Sequence, residues 1–147
     1  MSLYTSNGNT VYGRPVHGNP ELIGLTPKEG EEAGLIAGVP VVRQGNVIVV
    51  ATDTVGYYGI VKEQRYIPKH SYPIIIHDSI TSTVVRCVTG SGIKKGDQLS
   101  IENGRYIKAI VGSLVVGMAE TDAAANGDDD CVVMIHNILR GTTATIL

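Results

Sequence analysis

The chain contains no phenylalanine and no tryptophan, and its seven tyrosines are its whole aromatic content. Any core built from its 147 residues must therefore be filled by Val, Ile, Leu and Ala. β-Branched side chains pack best on a pleated sheet, so this deficit argues against helices. Long hydrophobic runs are also absent. None approaches the ~18 consecutive apolar residues of a membrane-spanning helix, and the N-terminus lacks the charged and apolar regions of a signal peptide. Twelve Lys and Arg against fourteen Asp and Glu leave a net charge of −2. That balance provides no basic field for nucleic acid or an anionic membrane, and neither is expected as a partner. Lys94-Lys95 and Arg65 read as solvated loop charges. Only two cysteines occur, Cys87 and Cys131, both inside apolar β-type runs. With no sign of secretion, buried free thiols are the expectation.

Chemistry-bearing motifs are equally scarce. Asp128-Asp129-Asp130 lacks the alternating ligand spacing and the later bidentate Glu of an EF-hand, and reads as an exposed acidic turn. His17, His70, His77 and His136 are too far apart in sequence for a two-imidazole metal motif. No GxSxG elbow exists, and Cys87 has no polar neighbourhood to lower its pKa. Gly90-Ser91-Gly92 lacks the Lys-Ser/Thr and the helix of a phosphate loop. Gly56-Tyr57-Tyr58-Gly59 is a candidate stacking platform for a sugar or base, but adjacent strand residues point to opposite faces. The expectation is a protein without enzymatic activity, cofactor or metal.

What is abundant is glycine, eighteen residues, with six prolines to punctuate short strands. This composition predicts an all-β fold, a small barrel- or sandwich-like body with an extended N-terminal arm. Residues 36–63 and 93–120 echo each other. Each opens with an apolar residue and a nearby glycine (Gly38, Gly96), followed by an alternating apolar segment and a turn at Gly45-Asn46 or Asn103-Gly104. A short strand and a glycine-bounded strand complete each copy, which ends at Glu63 or Glu120. Strands are expected at Val39–Val42, Val47–Val50, Tyr57–Val61, Ile74–His77, Thr83–Val88, Gln98–Ile101, Tyr106–Ile110, Leu114–Ala119 and Cys131–His136. Ile67-Pro68 and Tyr72-Pro73 are expected to interrupt pairing. Thr121–Ala125 is the one short helix candidate. Residues 1–34, rich in Gly and Pro, read as the arm, and residues 35–147 as the β-rich domain. Tyr4, Tyr12, Arg14 and His17 are the candidate contact residues of that arm, because these amphipathic types favour interfaces. Gly141–Leu147 is a further candidate edge strand.

One stretch has a family likeness. Ile93-Lys94-Lys95-Gly96-Asp97-Gln98-Leu99, Asn103-Gly104-Arg105-Tyr106-Ile107-Lys108-Ala109, Val116-Gly117-Met118-Ala119-Glu120 and Val132-Val133-Met134-Ile135 follow one another over about residues 83–136. This series resembles the head decoration, or capsid cement, proteins of tailed bacteriophages. The resemblance implies a virion protein of the outer capsid surface, assembled in the host cytoplasm. It further implies a homotrimer whose partner is the major capsid protein and which stabilises the expanded head. Arg65–Ser82 departs from the pattern as an insertion. The alternatives are a phage tail or baseplate β-module and a surface carbohydrate-binding protein, the latter favoured if Tyr57-Tyr58 lies exposed on a groove. A small β-domain of an enzyme complex is a third.

Overall fold

The computed structural model describes residues 13, 15–17, 22–62, 71–76, 83–90, 92–123 and 132–135. They form an all-β protein: eleven described strands and one short 3-10 turn at Glu32–Gly34. In chain order the strands are β1 Pro15–His17, β2 Leu22–Pro27, β3 Pro40–Gln44, β4 Val47–Val50, β5 Tyr57–Val61 and β6 Tyr72–Ile76. β7 Thr83–Arg86, β8 Gln98–Glu102, β9 Arg105–Lys108, β10 Gly117–Ala119 and β11 Val132–Ile135 follow. Five of them close a barrel in the order β2-β4-β3-β5-β6, and six form a second sheet in the order β1-β7-β11-β10-β8-β9. Every described strand pair is antiparallel except β2 with β4, where Thr26 and Pro27 lie opposite Val47 and Ile48.

The sequence echo is a structural duplication. In the first unit β3 lies between β4 and β5; in the second β8 lies between β9 and β10. Matching backbone bonds recur at the same sequence offset. Gly38 N donates to Val61 O and Gly96 N to Ala119 O, both at 2.8 Å. Val61 N returns to Val39 O and Ala119 N to Asp97 O, both at 3.0 Å. Ala51 N donates to Pro40 O at 3.0 Å, as Ala109 N does to Gln98 O at 2.9 Å. The hairpin turns differ in kind. Asn103 (φ 49°) and Gly104 (φ 78°) are both left-handed, as a type I′ turn requires. In Gly45-Asn46 only Gly45 is left-handed (φ 63°), the pattern of a type II′ turn.

Two cores result, and β5 and β6 serve both. Inside the barrel pack Leu25, Leu35, Val41, Ile48, Val61, Tyr72 and Ile74. On the other side of the same wall Tyr57, Ile60 and Ile75 pack with Val85, Ile93, Leu99, Ile101, Tyr106 and Val116 of the second sheet. The register explains the split: Ile60 faces Ile75 on one side of the pair, Val61 faces Ile74 on the other. Gly59 sits in this wall because a Cβ there would collide with the Ile75 carbonyl oxygen.

Several expectations change. The segment Leu22–Pro27, read as arm, is a barrel strand with Leu25 buried, paired with β6 from Leu22 to Leu25. Pro15–His17 is tied to β7, and Gly13 N donates to Arg86 O at 2.7 Å. The body therefore takes in residues well before Leu35, because buried Leu25 and Pro27 and half-buried Ile23 complete the barrel. Tyr72–Ile76, inside the supposed insertion, is the closing strand, with Ile74 and Ile75 fully buried. Pro73 does not interrupt pairing. It lies opposite Gly24, and its carbonyl accepts from Lys62 N at 2.9 Å just past the last β5–β6 pair. Its missing N–H points to the same side, so proline forgoes only the return bond to Lys62 at the end of β5 and leaves the pairing with β2 intact. Thr121–Ala123 is not helical, since Ala123 N is spent on Ile93 O at 2.9 Å. The remainder of that helix candidate, Cys131, His70, His77, His136, Asp128–Asp130 and Gly141–Leu147 lie outside the described residues.

Deletion of residues 1–34 is expected to abolish cooperative unfolding, because it removes β2 and opens the barrel. Deletion of residues 1–12 leaves every described strand in place and is expected to preserve the urea midpoint. Chemical denaturation followed by far-ultraviolet circular dichroism distinguishes the two outcomes.

Candidate binding cleft

The two units meet through polar contacts that a chain poor in aromatics must place carefully. Asn103 N and Gly104 N of the β8–β9 turn donate to Thr52 O and Ala51 O at 2.9 and 2.8 Å. Below this latch the Tyr57 and Tyr106 hydroxyls lie 2.8 Å apart, with their rings edge to face at 6.2 Å between centroids. Burial, reinforced by Tyr57 and Cys87 alongside, pushes the Tyr106 phenol well above its usual pKa. Tyr57 is thus a core residue and not one half of an exposed platform. Tyr58 is half-buried on the opposite side, where Arg43 covers its ring at 5.4 Å and donates Nη1 to its hydroxyl at 3.0 Å.

Equivalent loops of the two units, β4–β5 and β9–β10, border an open cleft of ≈ 380 Å³. Its lining includes Asp53, Thr54 and Val55 from the first loop, Ile110, Ser113 and Leu114 from the second, and Ser100, Ile101, Glu102 and Ile107 from the β8–β9 hairpin. Each loop is fixed by its own side chain. The Asp53 carboxylate accepts from Val55 N at 2.8 Å, an Asx turn that leaves Val55 70% exposed. Ser113 Oγ accepts from Ile110 N at 3.1 Å and donates to Ile110 O at 2.7 Å, leaving Ile110 and Val111 72% and 70% exposed. Thr54 Oγ1 is 2.7 Å from Ser100 Oγ and accepts from Ile101 N at 3.1 Å. The hydroxyls of the cleft are thereby engaged within the protein. Among the described residues of the lining, what faces solvent is aliphatic surface and two carboxylates.

The residues singled out from the sequence are not gathered here. Tyr4, Tyr12 and Arg14 lie outside the described residues. His17 ends β1, at the edge of the six-stranded sheet opposite to β9. Cys87 is a buried free thiol that donates to Val85 O at 3.4 Å, and among the described residues no group of His, Cys, Asp and Glu could hold a metal ion. Sequence reasoning missed Val55, Ile110 and Val111. The strand predicted for Tyr106–Ile110 ends at Lys108, so Ile110 leaves the ladder and turns outward. The readable signal was a β-branched residue beside a glycine between two strands, in Val55-Gly56 and Val111-Gly112.

No known family profile matches the chain, and no curated protein matches it either.

Two outcomes test this geometry. Replacing Val55, Ile110 and Val111 by Ser is expected to change stability by less than about 0.5 kcal/mol per site, since exposed apolar surface stabilises little. Reduced binding of an apolar dye in the same samples checks that the patch has been removed. Tyr57→Phe is expected to cost about 1–2 kcal/mol by leaving the buried Tyr106 hydroxyl without its partner, and the double variant with Tyr106→Phe less than the sum of the two. The sign of the pH effect follows from a raised phenol pKa. Stability holds below about pH 10, the unfolded value, and falls above it, because only the unfolded state releases the proton there. Tyr106→Phe should remove that alkaline slope in denaturation curves.

Proposed function

We propose that the protein is a non-enzymatic structural component of a tailed-phage virion. It sits on the outer surface of the capsid as a homotrimer and cements neighbouring capsid subunits in the expanded head. The observation that carries this reading is the exposed pair Val55 and Ile110 at the cleft, with Val111 exposed next to Ile110, held outward by turns on the β body. Exposed apolar surface grouped at one cleft is what a protein contact uses. The motif series of residues 93–135, like that of capsid cement proteins, supplies the class of partner. The Val132–Ile135 part of that series pairs with β10 and β7, so the resembling segments belong to one sheet.

The proposed action is mechanical. An expanded shell fails where neighbouring subunits part. A trimer has three copies of each contact surface, so footholds that are weak singly become tight together through high effective concentration. Subunit association also stabilises each protomer by mass action, useful for a core of small aliphatics. Tyr4, Tyr12, Arg14 and His17 remain proposed as additional capsid contacts of the N-terminal segment. The carbohydrate alternative loses its motivating feature, because Tyr57 is buried and Tyr58 is covered by Arg43.

Sedimentation with expanded capsids of the parent particle tests the reading. The full-length protein is expected to cosediment and to scatter light as a trimer when free. The Val55→Ser, Ile110→Ser, Val111→Ser variant should bind at least about tenfold more weakly, since central apolar contacts dominate such interfaces. Absence of capsid binding, or capture by glycans instead, rejects the proposal.

A further inference from the structure

We infer that the cleft between the two unit loops takes an extended segment of a capsid subunit in which an aliphatic side chain is flanked by lysine or arginine. The inference rests on the capsid reading above and adds the chemistry of what docks. Three features of the cleft select this occupant.

The first is apolar. Ile107 and Leu114 are half-buried in the lining, while Val55 and Ile110 stand exposed at its border. A cleft of ≈ 380 Å³ is of the size that admits an aliphatic side chain with its backbone neighbours.

The second is electrostatic. Asp53 and Glu102 are exposed carboxylates of the lining, and neither forms an ion pair among the described residues. Three cations of the second unit are engaged elsewhere, including Arg105, which stands opposite Glu102 on the β8–β9 ladder. Lys94 lies 3.9 Å from Asp122 and Lys108 lies 3.9 Å from Asp97, while Arg105 Nη1 donates to Thr89 O at 2.9 Å. Among the described residues the cleft thus presents two carboxylates without an ion-paired counterion, which favours a cationic partner and repels nucleic acid and acidic peptides.

The third is the state of the hydroxyls. Thr54, Ser100 and Ser113 are hydrogen-bonded within the protein. A sugar needs free donors as well as acceptors and commonly an aromatic face, and among the described residues the lining offers only the carboxylate acceptors and no aromatic. An aliphatic group flanked by cations needs neither. It buries its stem on Ile107, Leu114 and Ile110 and keeps its charges at the rim beside Asp53 and Glu102.

The test uses isotope-labelled full-length protein and three synthetic peptides of one scaffold. Their central leucine is flanked by Lys and Arg, by two Glu, or by two Ser. Titration by nuclear magnetic resonance to about 5 mM detects affinities far weaker than a trimer requires. The cationic peptide is expected to shift the amides of Val55, Glu102, Ile110 and Val111, and to bind roughly three- to fivefold more tightly than the serine peptide, as befits exposed charge pairs. The acidic peptide should bind most weakly. Glu102→Lys should invert this order, and Ile110→Asp should weaken all three. Equal shifts for the three peptides, shifts mapping outside the cleft, or no shifts at all overturn the inference. So do cleft shifts that grow with protein concentration alone, because they identify a second copy as the occupant.

Capsid sedimentation separates this from the broader reading. Wild-type binding weakened at least about threefold by Glu102→Lys supports the inference. Wild-type binding that Glu102→Lys leaves untouched overturns the cleft as the seat and leaves capsid attachment standing. Failure of the wild type to sediment with capsids rejects the virion reading and, with it, the capsid segment as occupant.

Discussion

The structure depends on one wall. β5 and β6 are buried on both faces, with Val61 and Ile74 directed into the barrel and Ile60 and Ile75 into the core shared with the second sheet. A strand buried on both sides has no solvent face to hold charge, which is why the run from Tyr72 to Ile76 carries none. The same constraint fixes Gly59, because the backbone of β6 passes where a side chain would stand. Joining the two cores at this wall makes the barrel and the sheet one folded unit. A small, mostly aliphatic interior gains area by being continuous, with Tyr57 and Tyr106 buried on one side of the wall and Tyr72 on the other.

With phenylalanine and tryptophan absent, hydrogen bonds take over part of the work of specifying geometry. The Tyr57–Tyr106 pair and the Thr54–Ser100 pair both bridge the duplicated units. Buried polar contacts of this sort set one arrangement of the units apart from alternatives that would bury similar aliphatic area, because any other leaves hydroxyls unpaired. The duplication itself is confined to backbone pattern. Val61 and Ala119 occupy matching positions, as do Pro40 and Gln98, so the hydrogen bonds have been kept while side chains diverged to serve different surroundings.

Much of the fold was readable from the residues. The turns at Gly45-Asn46 and Asn103-Gly104 and the strand Tyr57–Val61 follow from local chemistry, as does the repeated three-stranded unit. The barrel's extent was not. Leu22–Pro27 carries only spaced aliphatics among Gly and Pro, and its partner strand β6 is far along the chain, so nothing local marks it as a wall. Pro73 misled for the same reason: whether a proline breaks a ladder depends on which neighbour its nitrogen faces, a tertiary fact. The cleft was still less legible. Val55 and Ile110 look like any β-branched strand residues, and only the turns anchored by Asp53 and Ser113 decide that they point outward.

The barrel's closure is uneven around its circumference. β2 is held to β6 over four residue pairs but to β4 over only two, the latter in parallel register. The next backbone contact, Lys28 N to Ile48 O at 2.9 Å, already belongs to the loop. A cylinder with one short joint has a seam, and thermal breathing concentrates where the fewest bonds must part together. Amide exchange without global unfolding would begin along Thr26, Lys28 and Val47, with β2 remaining attached to β6 like a stave hinged on one side. Tension applied across β5 and β6 would meet a longer ladder than tension applied across that joint.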